Sequence, residues 1–138
     1  MQVNLDNDLS AYTIRGYQPG EIAITPPIQG KTNSTRPVEV EVISGSFVIS
    51  PRQLIRDWPP MEVEELTSAH MEILAELKPE VILLGTGPKL QFPDIQILAE
   101  IHHQQIGIEI MDTAAACRTY NILMTEGRFV VAGMMNQG

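Results

Sequence analysis

The sequence predicts an α/β fold in which N-terminal β-hairpins precede a C-terminal βαβαβ run. Three observations carry this. Before residue 50, apolar and polar residues alternate with a period of two. From Leu66 the apolar spacing lengthens to that of a helix. Between helical stretches lie short continuous apolar runs. Val81-Ile-Leu-Leu84 is the clearest, and it suits a strand buried on both faces of a parallel sheet.

The elements follow in order. Residues 1–10 are polar and read as a frayed tail. Tyr12-Thr-Ile-Arg-Gly-Tyr17 is a strand, Gln18-Pro-Gly20 a turn, and Glu21-Ile-Ala-Ile-Thr25 the returning strand. Pro26-Pro27 stops the pairing, because proline cannot donate to a ladder. Residues 28–36 read as a polar surface loop. Val38-Glu-Val-Glu-Val42 puts valine on one side and glutamate on the other, a strand with one wet face. Ser44-Gly-Ser46 turns the chain into the strand Phe47-Val-Ile49. Ser50-Pro51 predicts a short helical turn through 53–56, which Asp57-Trp-Pro-Pro60 breaks. The single tryptophan, Trp58, fits packing at the core's edge under that rigid loop, with an exposed partner contact as the alternative.

Leu66, Ala69, Ile73, Leu74 and Leu77 mark the first full helix, capped by Thr67 or Ser68 and closed by Pro79. The strand 81–84 follows, then the turn Gly85-Thr-Gly-Pro88. Asp94 caps a second helix with Ile95, Leu98, Ala99 and His102 on one side. Ile108-Glu-Ile110 is the next strand, so 81–110 forms a βαβ crossover with parallel strands. Asp112 or Thr113 caps a third helix that stops at Gly127, and Arg128-Phe-Val-Val-Ala132 is the last strand before a tail at 134–138.

Composition limits the function classes. The 138 residues suit one domain, which at this size buries roughly two-thirds of its unfolded surface. The formal net charge is −8 and the nine basic residues form no run, which argues against nucleic acid and anionic membranes as partners. One cysteine, Cys117, allows neither an internal disulfide nor a four-cysteine zinc site. His102 and His103 are adjacent and face different ways, and His70 is alone, so no metal is expected. No set of nucleophile, base and orienting acid assembles, and no catalytic residue or cofactor is assigned. The first ten residues resemble neither a secretory signal nor a transit peptide, and no apolar run approaches ~18 residues. The expectation is a cytoplasmic protein that is not integral to a membrane.

The candidate site lies where the two parallel strands end. Gly85-Thr86-Gly87 and Met111-Asp112-Thr113 fall at one sheet edge, with a helix N-terminus aimed at it. Free N–H groups and the helix dipole favour an anion there. Arg118 and Asn121 lie one and two turns further on the same helix stripe, together with Thr125. The ligand-binding candidates are therefore Gly85, Thr86, Gly87, Asp112, Thr113, Arg118 and Asn121. The pattern is neither a Walker loop nor a dinucleotide fingerprint, and a purely structural turn is the reading it favours over a ligand cradle. Arg118 is either an anion clamp or an anchor between helix and sheet. Cys117 is either a thiolate favoured by the helix start and Arg118, or a small buried hydrophobe.

Leu84-Gly-Thr-Gly87, Phe92-Pro93, Gly107-Ile-Glu-Ile-Met-Asp-Thr113, Ala115-Ala-Cys-Arg-Thr-Tyr-Asn121 and Glu126-Gly-Arg128 resemble a small α/β family of unknown function. Its eukaryotic members include NADH:ubiquinone oxidoreductase (complex I) assembly factor 3. The resemblance runs over about residues 10–133 and extends to Gly-Ser-Phe-Val-Ile-Ser (45–50) and Trp58-Pro59. It implies a three-layer β+α/β/α fold around a mixed sheet and no established enzyme activity. It adds Thr119 and Tyr120 as matching positions, and without a presequence the chain looks like a bacterial-type member. Two functions follow as expectations. One is a non-catalytic interaction or assembly factor, with respiratory-complex subunits as partners by resemblance and an apolar patch at 58–61 or 134–135. The other is a small-anion-binding protein or enzyme using the edge at 85–87 and 112–118.

Overall fold

The computed structural model describes residues 10–27 and 39–137. The strands are β1 (Thr13–Gln18), β2 (Glu21–Thr25), β3 (Glu41–Ile43), β4 (Phe47–Ile49), β5 (Leu54–Arg56), β6 (Val81–Gly85), β7 (Gly107–Met111) and β8 (Val130–Met134). The helices are α1 (Ser68–Ala75), α2 (Ile95–His103) and α3 (Thr113–Thr125), with a short 3₁₀ turn at Val63–Glu65. Three antiparallel strands form one sheet in the order β1-β2-β3. Five form a mixed sheet, β5-β4-β8-β6-β7, in which β8, β6 and β7 are parallel.

The alternation of side chains on the central strands builds two cores. Val81 and Leu83 of β6, Val130, Ala132 and Met134 of β8, and Phe47 and Ile49 of β4 face α3 and the small sheet. Ile82, Leu84, Val131 and Val48 face α1, α2 and Trp58. The order is thus small sheet plus α3, mixed sheet, then α1 and α2, the three layers implied by the family resemblance. The continuous apolar runs have a direct cause, since these strands are covered on both faces.

Each helix starts where a side chain can take a free N–H of the first turn. Thr67 accepts from His70 N–H, and His70 Nδ1 accepts from Thr67 N–H, closing a reciprocal capping box. Asp94 accepts from Gln96 N–H and Asp112 from Ala115 N–H.

Several expectations are corrected. Residues 54–56 are strand β5, because they complete an antiparallel pair with β4, and this pairing overrides the helix signal of Pro51. On β3 the structure adds which face is wet, a point the alternation left open: Val42 is 59% exposed, while Ile43 is buried and Glu41 turns to Arg56. α2 buries Ile101 and half-buries Ile97 and Leu98, whereas Ile95, Ala99 and His102 are exposed. The last strand extends through Met134, and Met135 and Asn136 beyond it are buried, so 134–136 is core rather than tail. Trp58 is also buried, its Nε1 donating to His70 O at 3.2 Å. Of the expected apolar patches, 134–135 is buried, and at 58–61 Trp58 and Pro60 are buried while Pro59 is exposed and Met61 half-buried. The expected tail at 1–9 and the loop at 28–36 lie outside the described residues.

Candidate functional site

Strands β6, β7 and β8 are parallel, so their carboxyl ends share one edge. The candidate residues Gly85, Thr86, Gly87, Asp112 and Thr113 all meet there. The structure brings them into contact with one another and with the end of β8. Thr113 N–H donates to Gly87 O at 2.9 Å, and Gly87 N–H donates back to Thr113 Oγ1 at 2.7 Å. Thr113 Oγ1–H donates to Met135 O at 2.8 Å, and Met135 N–H to Gly85 O at 2.9 Å. Thr86 N–H donates to Met111 O. Asp112 closes the start of α3 by accepting from Ala115 N–H at 2.8 Å.

The glycines serve this closure. A Cβ on Gly85 would meet Thr113 Oγ1 at 3.0 Å and Met134 Sδ at 3.1 Å, so Gly85 admits the first turn of α3 to the sheet end. Gly87 sits at φ +98°, a conformation costly for other residues. Thr86 and Thr113 are both buried. The N–H groups of Thr86, Gly87 and Thr113 are therefore engaged within the protein.

The remaining candidates part company along α3. Asn121 faces β1: its Oδ1 accepts from Ile14 N–H at 3.0 Å and its Nδ2 donates to Ile14 O at 2.7 Å. Tyr120 Oη donates to Tyr12 O at 2.7 Å. Arg118 is exposed, and among the described residues it makes no hydrogen bond or ion pair. Cys117 is buried, and burial pushes its thiol up to about 12, against the opposing pull of Arg118. A thiolate nucleophile is thereby disfavoured. Tyr17 of β1 reaches the same corner, its phenol raised first by partial burial and then by negative charge on Cys117 and Asp112.

Two clefts lie at the opposite edge. One of about 540 Å³ is lined by Glu72, Glu76, Lys78, Pro79, Gln105 and Ile106 among others, around the segments that lead into β6 and β7. Another of about 320 Å³ lies between Arg52, Arg128 and Phe129, where the chain enters β8. Among the described residues no three His, Cys, Asp or Glu side chains are grouped to hold a metal ion.

One surface was not singled out as a site from the sequence. The loop between β6 and α2 exposes Leu90 and Phe92, and the first residue of α2, Ile95, is exposed beside it in the chain. Its available signal was two large apolar residues, Leu90 and Phe92, in a proline-containing segment with no helical or strand period.

A sequence model of the family described as "Protein of unknown function (DUF498/DUF598)" matches residues 14–135. The chain belongs to this family. Among relatives of this DUF498/DUF598 member, the 13 kDa major membrane protein of Francisella tularensis subsp. holarctica is 32% identical over 89 residues, 64% of this chain and 68% of that one. NADH dehydrogenase (ubiquinone) 1 alpha subcomplex assembly factor 3 of Rattus norvegicus is 31% identical over 99 residues, 67% of this chain and 54% of the relative. The chain thus spans about half the length of that assembly factor. The crystal structure of a protein from Bordetella parapertussis superposes with a TM-score of 0.76 at 29% identity, over 93% of this chain and 98% of that one. Among the described residues no helix is long and apolar enough to cross a membrane.

Proposed function

We propose that this protein is a non-catalytic binding factor that seats a protein partner on the loop joining β6 to α2. One observation carries the reading: Leu90, Phe92 and Ile95 are 51%, 68% and 81% exposed. Grouped apolar side chains on a surface gain from association, about 1.5–3 kcal/mol for each one fully buried. The loop is held in shape from beneath. Thr86 Oγ1 lies 2.6 Å from Lys89 O and accepts from Gln91 N–H at 3.2 Å. Such a surface loses little conformational freedom on binding. Resemblance to relatives named as assembly factors points to subunits of a respiratory complex as the partners, met by a cytoplasmic, bacterial-type protein.

The test pairs Phe92→Ser with Ile95→Ser. Both side chains are exposed, so stability stays within about 0.5 kcal/mol. A cross-linked affinity pull-down from the source cells, read by quantitative mass spectrometry, loses its enrichment of respiratory-complex subunits. Undiminished enrichment overturns the assignment of this surface.

A second reading is favoured by one residue. Arg118 is an exposed guanidinium without an ion pair among the described residues, as an anion clamp would be. It predicts that phosphate raises the melting temperature and that Arg118→Ala erases the rise. No rise with phosphate removes this reading.

A further inference from the structure

The mixed sheet ends in an open edge at β7. Two hydrogen bonds fix which of its residues face inward. Gly107 N–H donates to Glu80 O, and Met111 O accepts from Thr86 N–H. Main-chain groups alternate in direction along a strand, so Gly107, Glu109 and Met111 address β6. Ile108 and Ile110 turn their N–H and C=O groups outward. Among the described residues nothing pairs with these groups.

Exposed edges are normally blocked by proline, lysine, a bulge or a covering segment. β7 contains neither proline nor lysine, and its register with β6 is unbroken. The outer edge of β1, by contrast, is closed at Ile14 by the amide of Asn121. The single charge on β7 is Glu109, which is exposed and makes no ion pair among the described residues. The apolar loop starts from the same corner, because Thr86 bonds the end of β7 and Gln91 bonds Thr86.

We propose that β7 accepts an added antiparallel strand from the protein partner, with apolar residues opposite Ile108 and Ile110 and a basic residue opposite Glu109. This rests on the reading of the protein as a partner-binding factor. Charge selects the occupant. A second copy that pairs all the outward groups of β7 must set Ile108 against Ile110 and Glu109 against Glu109. Like charges directly opposed across strands are destabilising, and each chain carries a formal net charge of −8. A strand with lysine or arginine at that position turns the same contact into an attraction, while main-chain bonds supply the affinity.

The probe is the peptide acetyl-Thr-Val-Lys-Val-Thr-amide, with a control carrying Glu in place of Lys. The full chain is titrated with each at millimolar concentration, and amide hydrogen exchange of Ile108 and Ile110 is followed by NMR. The lysine peptide slows exchange at both amides and binds roughly two- to tenfold tighter than the control. Glu109→Lys reverses that order. Ile110→Pro removes an outward N–H, leaves the bonds to β6 intact, and abolishes protection. Should the proline variant not fold, the Glu109→Lys reversal still decides. Unchanged exchange with both peptides overturns the proposal, as does a dimer joined through β7. Partner capture that needs Phe92 but ignores Ile110→Pro and Glu109→Lys overturns strand addition and leaves the functional reading standing. Strand addition with capture indifferent to Phe92 does the reverse.

Discussion

Asn121→Ala separates a structural residue from a ligand-binding one. The Asn121 amide spans both main-chain groups of Ile14, accepting from its N–H at 3.0 Å and donating to its C=O at 2.7 Å. In effect it takes the place of a neighbouring strand on the open side of β1. Each hydrogen bond contributes about 1 kcal/mol net, and more is lost when the abandoned partner stays desolvated. Ile14 is 6% exposed, so its freed groups gain little water in compensation. Alanine returns about 0.6 kcal/mol through its better helix propensity. The expected net loss is therefore about 2–3 kcal/mol. Trp58 is the single tryptophan and is buried, so its fluorescence during urea unfolding reports the loss. Faster exchange of the Ile14 amide localises it. A loss under about 0.5 kcal/mol with an unchanged denaturant slope refutes the strap argument. If a phosphate-induced thermal shift also vanishes in that variant, Asn121 belongs to a ligand site.

Three further outcomes follow from the same geometry. Thr113→Val deletes a buried hydroxyl that serves both Gly87 N–H and Met135 O, and urea unfolding should show a loss of about 2–4 kcal/mol, most of it restored by Thr113→Ser. Gly133→Ala places a Cβ 2.6 Å from Trp58 Cη2 and 3.1 Å from Leu74 Cδ2; the expected cost is about 1–3 kcal/mol with a shift in Trp58 emission. The Cys117 thiol is raised by burial from 9.0 to about 12, so the unfolded chain ionises first as pH climbs. Its stabilising contribution is complete below 9.0 and falls as pH rises towards 12, so Cys117→Ala makes the alkaline decline in stability shallower, the remainder coming from the raised phenols of Tyr120 and Tyr17; alkylation of the native thiol at neutral pH should require urea.

The sequence made the mixed sheet legible wherever one signal dominated. Val81-Ile-Leu-Leu84 is apolar throughout because helices cover both faces of β6, and no competing pattern obscures it. Asp94 and Asp112 announced helix starts because a cap acts within three residues of itself. Errors arose where tertiary contacts overrode a local signal. Leu54–Arg56 pairs with β4 despite the proline before it. Met135 and Asn136 read as tail because nothing local reveals that they are covered. Asn136 Nδ2 reaches Ile43 O and Gly45 O, about ninety positions away in the chain. The alternation at 38–42 left the wet face open, because it fixes which residues share a face but not which face meets water. The bidentate grip of Arg56 on Glu41 at 2.6 and 2.7 Å draws the glutamate side towards β5 and leaves Val42 outward.

Gly85, Thr86, Gly87, Asp112 and Thr113 share one sheet edge, and the physics of that place explains its contents. β6 leads through α2 to β7 on one side, and β7 returns through α3 to β8 on the other, with α2 and α3 on opposite faces. Such a reversal of strand order opens a crevice at the carboxyl edge, and in many α/β proteins a ligand fills it. Here β8 extends past that edge, carrying Met135 and Asn136 into the interior. The threonine that begins α3 ties both the Gly87 turn and Met135. Unpaired buried main-chain groups are costly, so the glycine turns need partners, and the chain supplies them from Thr113 and the end of β8. The same closure fixes Thr86, and Thr86 holds the loop that carries Leu90 and Phe92 outward. Turns tied down by the protein itself thus give a fixed base to an exposed apolar loop, which is why the proposed recognition is assigned to the surface beside β7 rather than to the strand ends.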